Sequence, residues 1–279
     1  MRRALLTAAA LLASAAAFSS SAQTAAPTLE PLWTISGFDS PESVLPTRGG
    51  YFVSNVGGEG DARDGDGWIA LVGVGDGHAI ARWVAGLDAP KGMALKDGKL
   101  YVSDITKLVV IDVARETIIA RHDVPDSAFL NDVAVAPDGK VLVADSGKQR
   151  IYAFDGTAAT PWLEDPLLRS INGLLPEKDR LVVSTMQGRL LAVDWKTKAI
   201  TVLAEGLGNG DGLARLKDGT YIVSEWPGRL FHVRADGTHA VIADTRQQEQ
   251  FWNDFLLVGD TLVVPNWKPG TLSAYRVRD

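Results

Sequence analysis

One pattern recurs six times along this 279-residue chain, and no other feature restricts its fold as strongly. Each copy is an apolar run, a tight turn that is often Asp-Gly, and a second apolar run, which is the signature of a β-hairpin. The copies are PESVLPTRGGYFVSN (41–55), PKGMALKDGKLYVSD (90–104), LNDVAVAPDGKVLVAD (130–145), INGLLPEKDRLVVST (171–185), GDGLARLKDGTYIVSE (210–225) and WNDFLLVGDTLVVPN (252–266). The second residue of each copy is polar: Glu42, Lys91, Asn131, Asn172, Asp211 and Asn253, at spacings of 49, 40, 41, 39 and 42. A second polar set, Asn55, Asp104, Asp145, Thr185, Glu225 and Asn266, closes each hairpin 13 or 14 residues later. Two further short strands follow most hairpins, for example Arg150–Phe154 and Thr160–Leu163. Four strands in a unit of about 40 residues read as one propeller blade, so the chain predicts an all-β, six-bladed β-propeller.

The ring has to close. After Asn253 only three strands remain (254–258, 261–265 and 271–277), so the sixth blade lacks its outer strand. Leu29–Ser36 is a spare strand at the other end of the chain, and it is expected to complete that blade, because an open ring leaves sheet edges exposed. The long first spacing holds an insertion, Gly57–Gly67, whose aspartates do not fit an EF-hand register. It reads as a long hairpin loop near the channel mouth. No linker separates the units, so residues 23–279 are expected to form one domain.

Residues 1–22 read as an address. A basic head (Arg2, Arg3) precedes an Ala- and Leu-rich run from Ala4 to Phe18, then small residues up to Ala22, in the order of a secretory signal peptide. Cleavage is expected near Ala22, with Ala25 or Ala26 as alternatives, giving a periplasmic or secreted protein with no membrane attachment afterwards. The chain has no cysteine, which excludes disulfides, thiolate metal sites and cysteine nucleophiles. Its net charge of −6 argues against a nucleic-acid partner. The four histidines, His78, His122, His232 and His239, show no paired spacing and read as surface or packing residues.

In a propeller the first strand of each blade lies nearest the axis, so the polar second residues converge on the channel. Two of them, Glu42 and Asp211, are carboxylates that repel each other when left unpaired. A cation resolves that conflict. The ring's Glu, Asp and Asn side chains offer only oxygen, which suits Ca²⁺ or Mg²⁺, and calcium's six to eight ligands more readily than magnesium's strict octahedron.

With these motifs the chain resembles the calcium-dependent six-bladed propellers of the gluconolactonase/regucalcin (senescence marker protein) family over residues 29–279. The resemblance rests on the Pro-Glu of PESV, the Asn-Asp of LNDVAVAPDG, the Asn-Gly of INGL and the Asp-Gly of GDGLARLKDG. It implies that Glu42, Asn131, Asn172 and Asp211 hold a catalytic divalent metal, calcium with magnesium or manganese as alternatives. It also implies hydrolysis of a lactone or ester, with Asp211 as general base and a small-molecule substrate. A monomer is expected.

Lys91 departs from the pattern. It occupies the ring position of the second unit and is a candidate catalytic residue. Three readings stay open. It reaches past the metal to an anionic substrate or oxyanion, it pairs with Glu42 and replaces the metal, or it runs out to solvent. The second reading would make the protein a non-catalytic ligand- or protein-binding propeller. Phe129 stands where sugar-lactone members tend to carry an Arg, and no paraoxonase-type histidine pair is found. Trp226, Trp252 and Trp267 are candidates for an apolar substrate wall or for packing between blades.

Overall fold

A computed structural model describes residues 26–73 and 78–278. The expected signal segment, residues 1–22, lies outside the described residues. Strand β1 is Thr28–Ser36. Blade one is β2 (Pro41–Thr47), β3 (Gly50–Asn55), β4 (Gly67–Gly73) and β5 (Ile80–Leu87). Blade two is β6 (Pro90–Lys96), β7 (Lys99–Asp104), β8 (Lys107–Asp112) and β9 (Thr117–Asp123). Blade three is β10 (Leu130–Val135), β11 (Val141–Asp145), β12 (Arg150–Phe154) and β13 (Ala159–Glu164). Blade four is β14 (Ile171–Pro176), β15 (Arg180–Thr185), β16 (Arg189–Asp194) and β17 (Ile200–Glu205). Blade five is β18 (Gly210–Arg215), β19 (Tyr221–Glu225), β20 (Arg229–Val233) and β21 (His239–Asp244). Blade six holds β22 (Leu256–Val258), β23 (Thr261–Asn266) and β24 (Thr271–Arg278). Every sheet has four strands, and β1 pairs with β24 as the outer strand of blade six. The fold is the expected six-bladed propeller, closed by its N-terminal strand. Among the described residues no helix is long and apolar enough to cross a membrane.

Local chemistry explains the hairpins. At Asp97-Gly98 both central residues have positive φ, 50° and 72°, the two-residue turn whose twist matches its flanking strands. Burial is organised between blades rather than within them. One cluster joins Val44, Val53 and Trp68 of blade one to Val263, Leu272 and Ala274 of blade six, with Trp33 and Ile35 of β1 packed on it. Another joins Ala214, Ile222 and Leu230 of blade five to Trp252, Phe255 and Leu262 of blade six. Closure therefore rests on apolar burial on both sides of the last blade as well as on the β1–β24 ladder.

The inner strands carry one irregularity that positions the site. Between Leu130 and Val133 the partner strand advances only from Asp145 to Val143, so β10 holds one extra residue. The same one-residue bulge occurs in β2, β6, β14 and β18. In blade six an isolated bridge from Trp252 to Asn266 precedes the Leu256–Val263 pair and has the same offset. A bulge suspends strict alternation, so two consecutive side chains can turn toward the axis.

Candidate functional site

All six polar ring residues line one cavity of about 160 Å³, together with Gly60, Phe129, Met186, Trp226 and Trp267. Each of the six is buried, from 3% exposure at Asp211 to 6% at Asn131. At or beside three of them the backbone is pinned by a serine of the preceding blade. The Ser103 hydroxyl donates to the carbonyl of Asn131, that of Ser184 to the carbonyl of Asp211, and that of Ser146 to the carbonyl of Ile171 beside Asn172. The second polar set holds the loops that lead into the inner strands. Asp145 accepts from the N–H groups of Ala128 and Phe129 at 3.0 Å, and Asp104 from those of Asp88 and Ala89 at 3.1 and 2.7 Å. Asn55 accepts from the N–H of Asp39 at 3.0 Å.

The ring is electrostatically unfinished. Glu42 Oε2 and Asp211 Oδ1 are buried without a hydrogen-bond partner. Burial, followed by the Asp211 charge, pushes Glu42 well above the usual carboxylate range, while Lys91 pulls it back. Burial and then Asp254 push Asp211 up in the same way. An orphaned buried carboxylate oxygen is costly, and two beside one another call for a positive partner. Among the described residues no three His, Cys, Asp or Glu side chains cluster as ligands. The ring set is instead two carboxylates with the carboxamides of Asn131 and Asn172. That donor set is all oxygen, and with waters it fits a hard divalent cation of the calcium type.

Two acids beyond the ring were not singled out from the sequence. Asp132 and Asp254 line the opposite end of the channel, which widens into a cavity of about 430 Å³. Asp132 accepts from the N–H groups of Val133 and Leu174 at 2.7 and 2.6 Å, tying blade three to blade four. Asp254 accepts from the N–H of Phe255 at 2.8 Å and from the Ser43 hydroxyl at 2.6 Å, tying blade six to blade one. Burial raises Asp254 to about 6 against those two hydrogen bonds. It also drives Asp132 well above its ordinary value, with Asp254 the next cause. Each of these carboxylate oxygens has a protein partner, so the unmet demand sits in the upper ring. Glycines make room: a Cβ on Gly92 would lie 2.6 Å from Asp132 Oδ1, and one on Gly212 2.4 Å from Asp254 Oδ1. Four carboxylates (Glu42, Asp132, Asp211, Asp254) then face one ammonium (Lys91), a balance of −3 if all are ionised.

Lys91 is buried at 4% exposure and does not run out to solvent. Its Nζ donates to the carbonyls of Gly60 at 2.6 Å and Ala89 at 3.0 Å and sits 4.5 Å from the centre of the Phe129 ring. Burial lowers its pKa, against Glu42 and Asp104. The ammonium thus holds the tip of the β3–β4 insertion over the mouth and leaves Glu42 Oε2 without a partner. Trp226 and Trp267 form part of the cavity wall, whereas Trp252 is a core residue at 1% exposure. None of the four histidines lines this cavity; His232, for instance, is buried against the Thr220 hydroxyl at 2.9 Å.

The fold is similar to solved propellers of very different sequence. Virginiamycin B lyase from Staphylococcus aureus matches with a TM-score of 0.63 at 8% identity, over 88% of this chain and 98% of that one. A catalytically inactive histidine-to-alanine variant of that enzyme, solved with quinupristin, matches with a TM-score of 0.64 at 10% identity, over 90% and 99%. A streptogramin B lyase structure matches with a TM-score of 0.64 at 11% identity, over 90% and 98%. No protein-family model matches the sequence, and no curated protein does.

Proposed function

We propose that this chain is a divalent-metal-dependent hydrolase of ester or lactone bonds that works at the channel mouth. The carrying observation is the pair of buried, unpartnered carboxylate oxygens, Glu42 Oε2 and Asp211 Oδ1, in a cavity shared with Asn131 and Asn172. Those four side chains would hold the cation, calcium in the first instance. A bound divalent cation supplies Lewis acidity to a carbonyl oxygen and offsets the charge that builds there in the transition state. Asp211 is also the general base we assign: the carboxylate oxygen not taken by the cation would accept a proton from water. Lys91 is a positioning residue that fixes the Gly60 loop. In both other readings, replacing the metal or gripping an anion, Lys91 would have to act through its one remaining donor, and Glu42 Oε2 does not receive it.

One similar solved propeller is a virginiamycin B lyase with quinupristin, which supports a small-molecule substrate here. That enzyme is inactivated by loss of a histidine, and no histidine lines this cavity, so a carboxylate is the base we assign. The N-terminal segment supports a periplasmic or secreted location. The test is a panel of lactones and aryl esters in calcium and in chelator. Turnover is expected only with the metal, and Asp211→Asn should lower kcat by about 10²- to 10⁴-fold with the fold retained. Equal turnover in chelator, or full activity of Asp211→Asn, would overturn the assignment.

A further inference from the structure

The mouth above the ring has a composition of its own. Its walls outside the six ring residues are Phe129, Met186, Trp226, Trp267 and the backbone of Gly60. Trp226 is held edge-to-face by Phe251 and Trp267, both at 5.8 Å between ring centres, so its face is set before any ligand arrives. Trp267 packs in turn against the small cluster of Val56, Ala89 and Ile105. Phe129 has the Lys91 ammonium over its ring. The Gly60 carbonyl already accepts from Lys91. Of the ring residues, Asn253 alone adds a neutral carboxamide beyond the proposed metal set.

Three limits on a ligand follow. The volume of about 160 Å³ is that of a cavity able to take one benzene-sized ring. The walls offer few spare donors or acceptors, so a polyhydroxylated ring would bury unpaired hydroxyls, each weakening binding about 5- to 150-fold. Charge sets the third limit. Among the described residues Lys91 is the one cationic side chain on the lining, and two of its three donors are already held by the carbonyls of Gly60 and Ala89, so a ligand carboxylate finds little to pair with.

Resting on the hydrolase reading, we propose that the substrate is a neutral, ring-sized lactone or ester with an apolar substituent, and that Trp226 and Trp267 select it. The apolar group lies against the two indoles, the scissile carbonyl faces the ring, and the Gly60 loop held by Lys91 closes the remaining side.

Non-hydrolysable lactams separate this from the hydrolase reading itself. In 1 mM calcium, calorimetry would compare 5-methyl-2-pyrrolidone (neutral and apolar), pyroglutamate (the same ring bearing a carboxylate) and gluconolactam (polyhydroxylated). The neutral lactam is expected to bind at least tenfold more tightly than either of the others. Trp226→Ala and Trp267→Ala should each cost it at least tenfold, Trp226→Phe should recover most of the loss, and all three should keep the calcium-induced rise in Tm. Pyroglutamate or gluconolactam binding as tightly, or both alanine variants binding like wild type, would overturn the inference. If lactones or aryl esters still turn over in calcium, that result removes only the substrate class. Absence of calcium binding and of all turnover would remove the hydrolase reading and this inference together.

Discussion

Replacing Glu42 by Gln should change the sign of its effect with calcium. The side chain is 5% exposed and its Oε2 has no partner, so in chelator the native protein carries a buried carboxyl group whose charged form burial disfavours. Gln keeps the volume and removes the charge. Leaving such a group unmet costs about 1–3 kcal/mol. For a domain of this size each kcal/mol is worth about 2–4 °C in Tm, so Glu42→Gln should melt roughly 2–12 °C above wild type in EDTA. Calcium reverses the order. At 100 to 1,000 times its dissociation constant a ligand stabilises by about 2.7–4.1 kcal/mol, a rise of about 5–16 °C for wild type. The variant has lost one of two ligating carboxylates and should gain less than a third of that. Scanning fluorimetry at pH 7.5, in EDTA and in 1 mM calcium, reads both arms. A variant that melts below wild type in both conditions would refute the reasoning, because Glu42 would then have a satisfying partner without the metal.

The remaining expectations use the same ring and its closure. Glu42, Asp132, Asp211 and Asp254 all have folded-state pKa values above their unfolded ones, so the folded state binds more protons and stability falls as pH rises through that window. For Asp254 the window runs from its ordinary 3.8 to about 6, and Tm in EDTA should therefore rise on acidification from pH 7.5 to about pH 5, a slope that calcium should flatten. Gly212→Ala would place a Cβ 2.8 Å from the Phe255 nitrogen and 2.4 Å from Asp254 Oδ1, and should cost about 1–3 kcal/mol in denaturant melts. Gly58→Ala, with nothing within 4 Å, is the neutral control. Removing the chain up to Ser36 takes away a strand paired from Thr28↔Arg278 to Ser36↔Thr271, together with the packing of Trp33 and Ile35. It should yield insoluble protein or lower Tm by at least 10 °C, and an unchanged Tm would contradict the closure.

The fold and the ring were legible in the sequence because they repeat. A polar residue at one register in six hairpins survives any uncertainty about strand ends, and the count of strands after Asn253 was enough to assign Thr28–Ser36 to the last blade within one residue. Asp132 and Asp254 were not legible. Each directly follows a ring asparagine, and strict strand alternation would turn it away from the channel. The bulge that redirects it has no composition of its own, although the glycines at the equivalent positions 92, 173 and 212 were a trace of the space it needs. Lys91 was ambiguous for another reason: the group that engages it, the Gly60 carbonyl, belongs to an insertion whose path no local pattern dictates.

The same bulge joins ring closure to ring charge. It places Glu42 and Ser43 side by side on blade one, where Ser43 is tied to Asp254 of blade six and Glu42 faces Asp211 of blade five. The seam at which the first and last blades meet therefore carries two of the channel's carboxyl groups, Glu42 and Asp254. Apolar burial across that seam, through Val44, Val53, Val263 and Leu272, has to hold together strands whose inner ends repel. A cation on Glu42 and Asp211 relieves that repulsion where the ring is joined. On this reasoning calcium should slow opening of blades one and five, which supply the two charged ligands, more than opening of blade two, which supplies none. Hydrogen exchange resolves the two: protection gained on calcium addition should concentrate in β2 and β18. A gain spread evenly over all six blades would mean that the metal site and the closure are energetically separate.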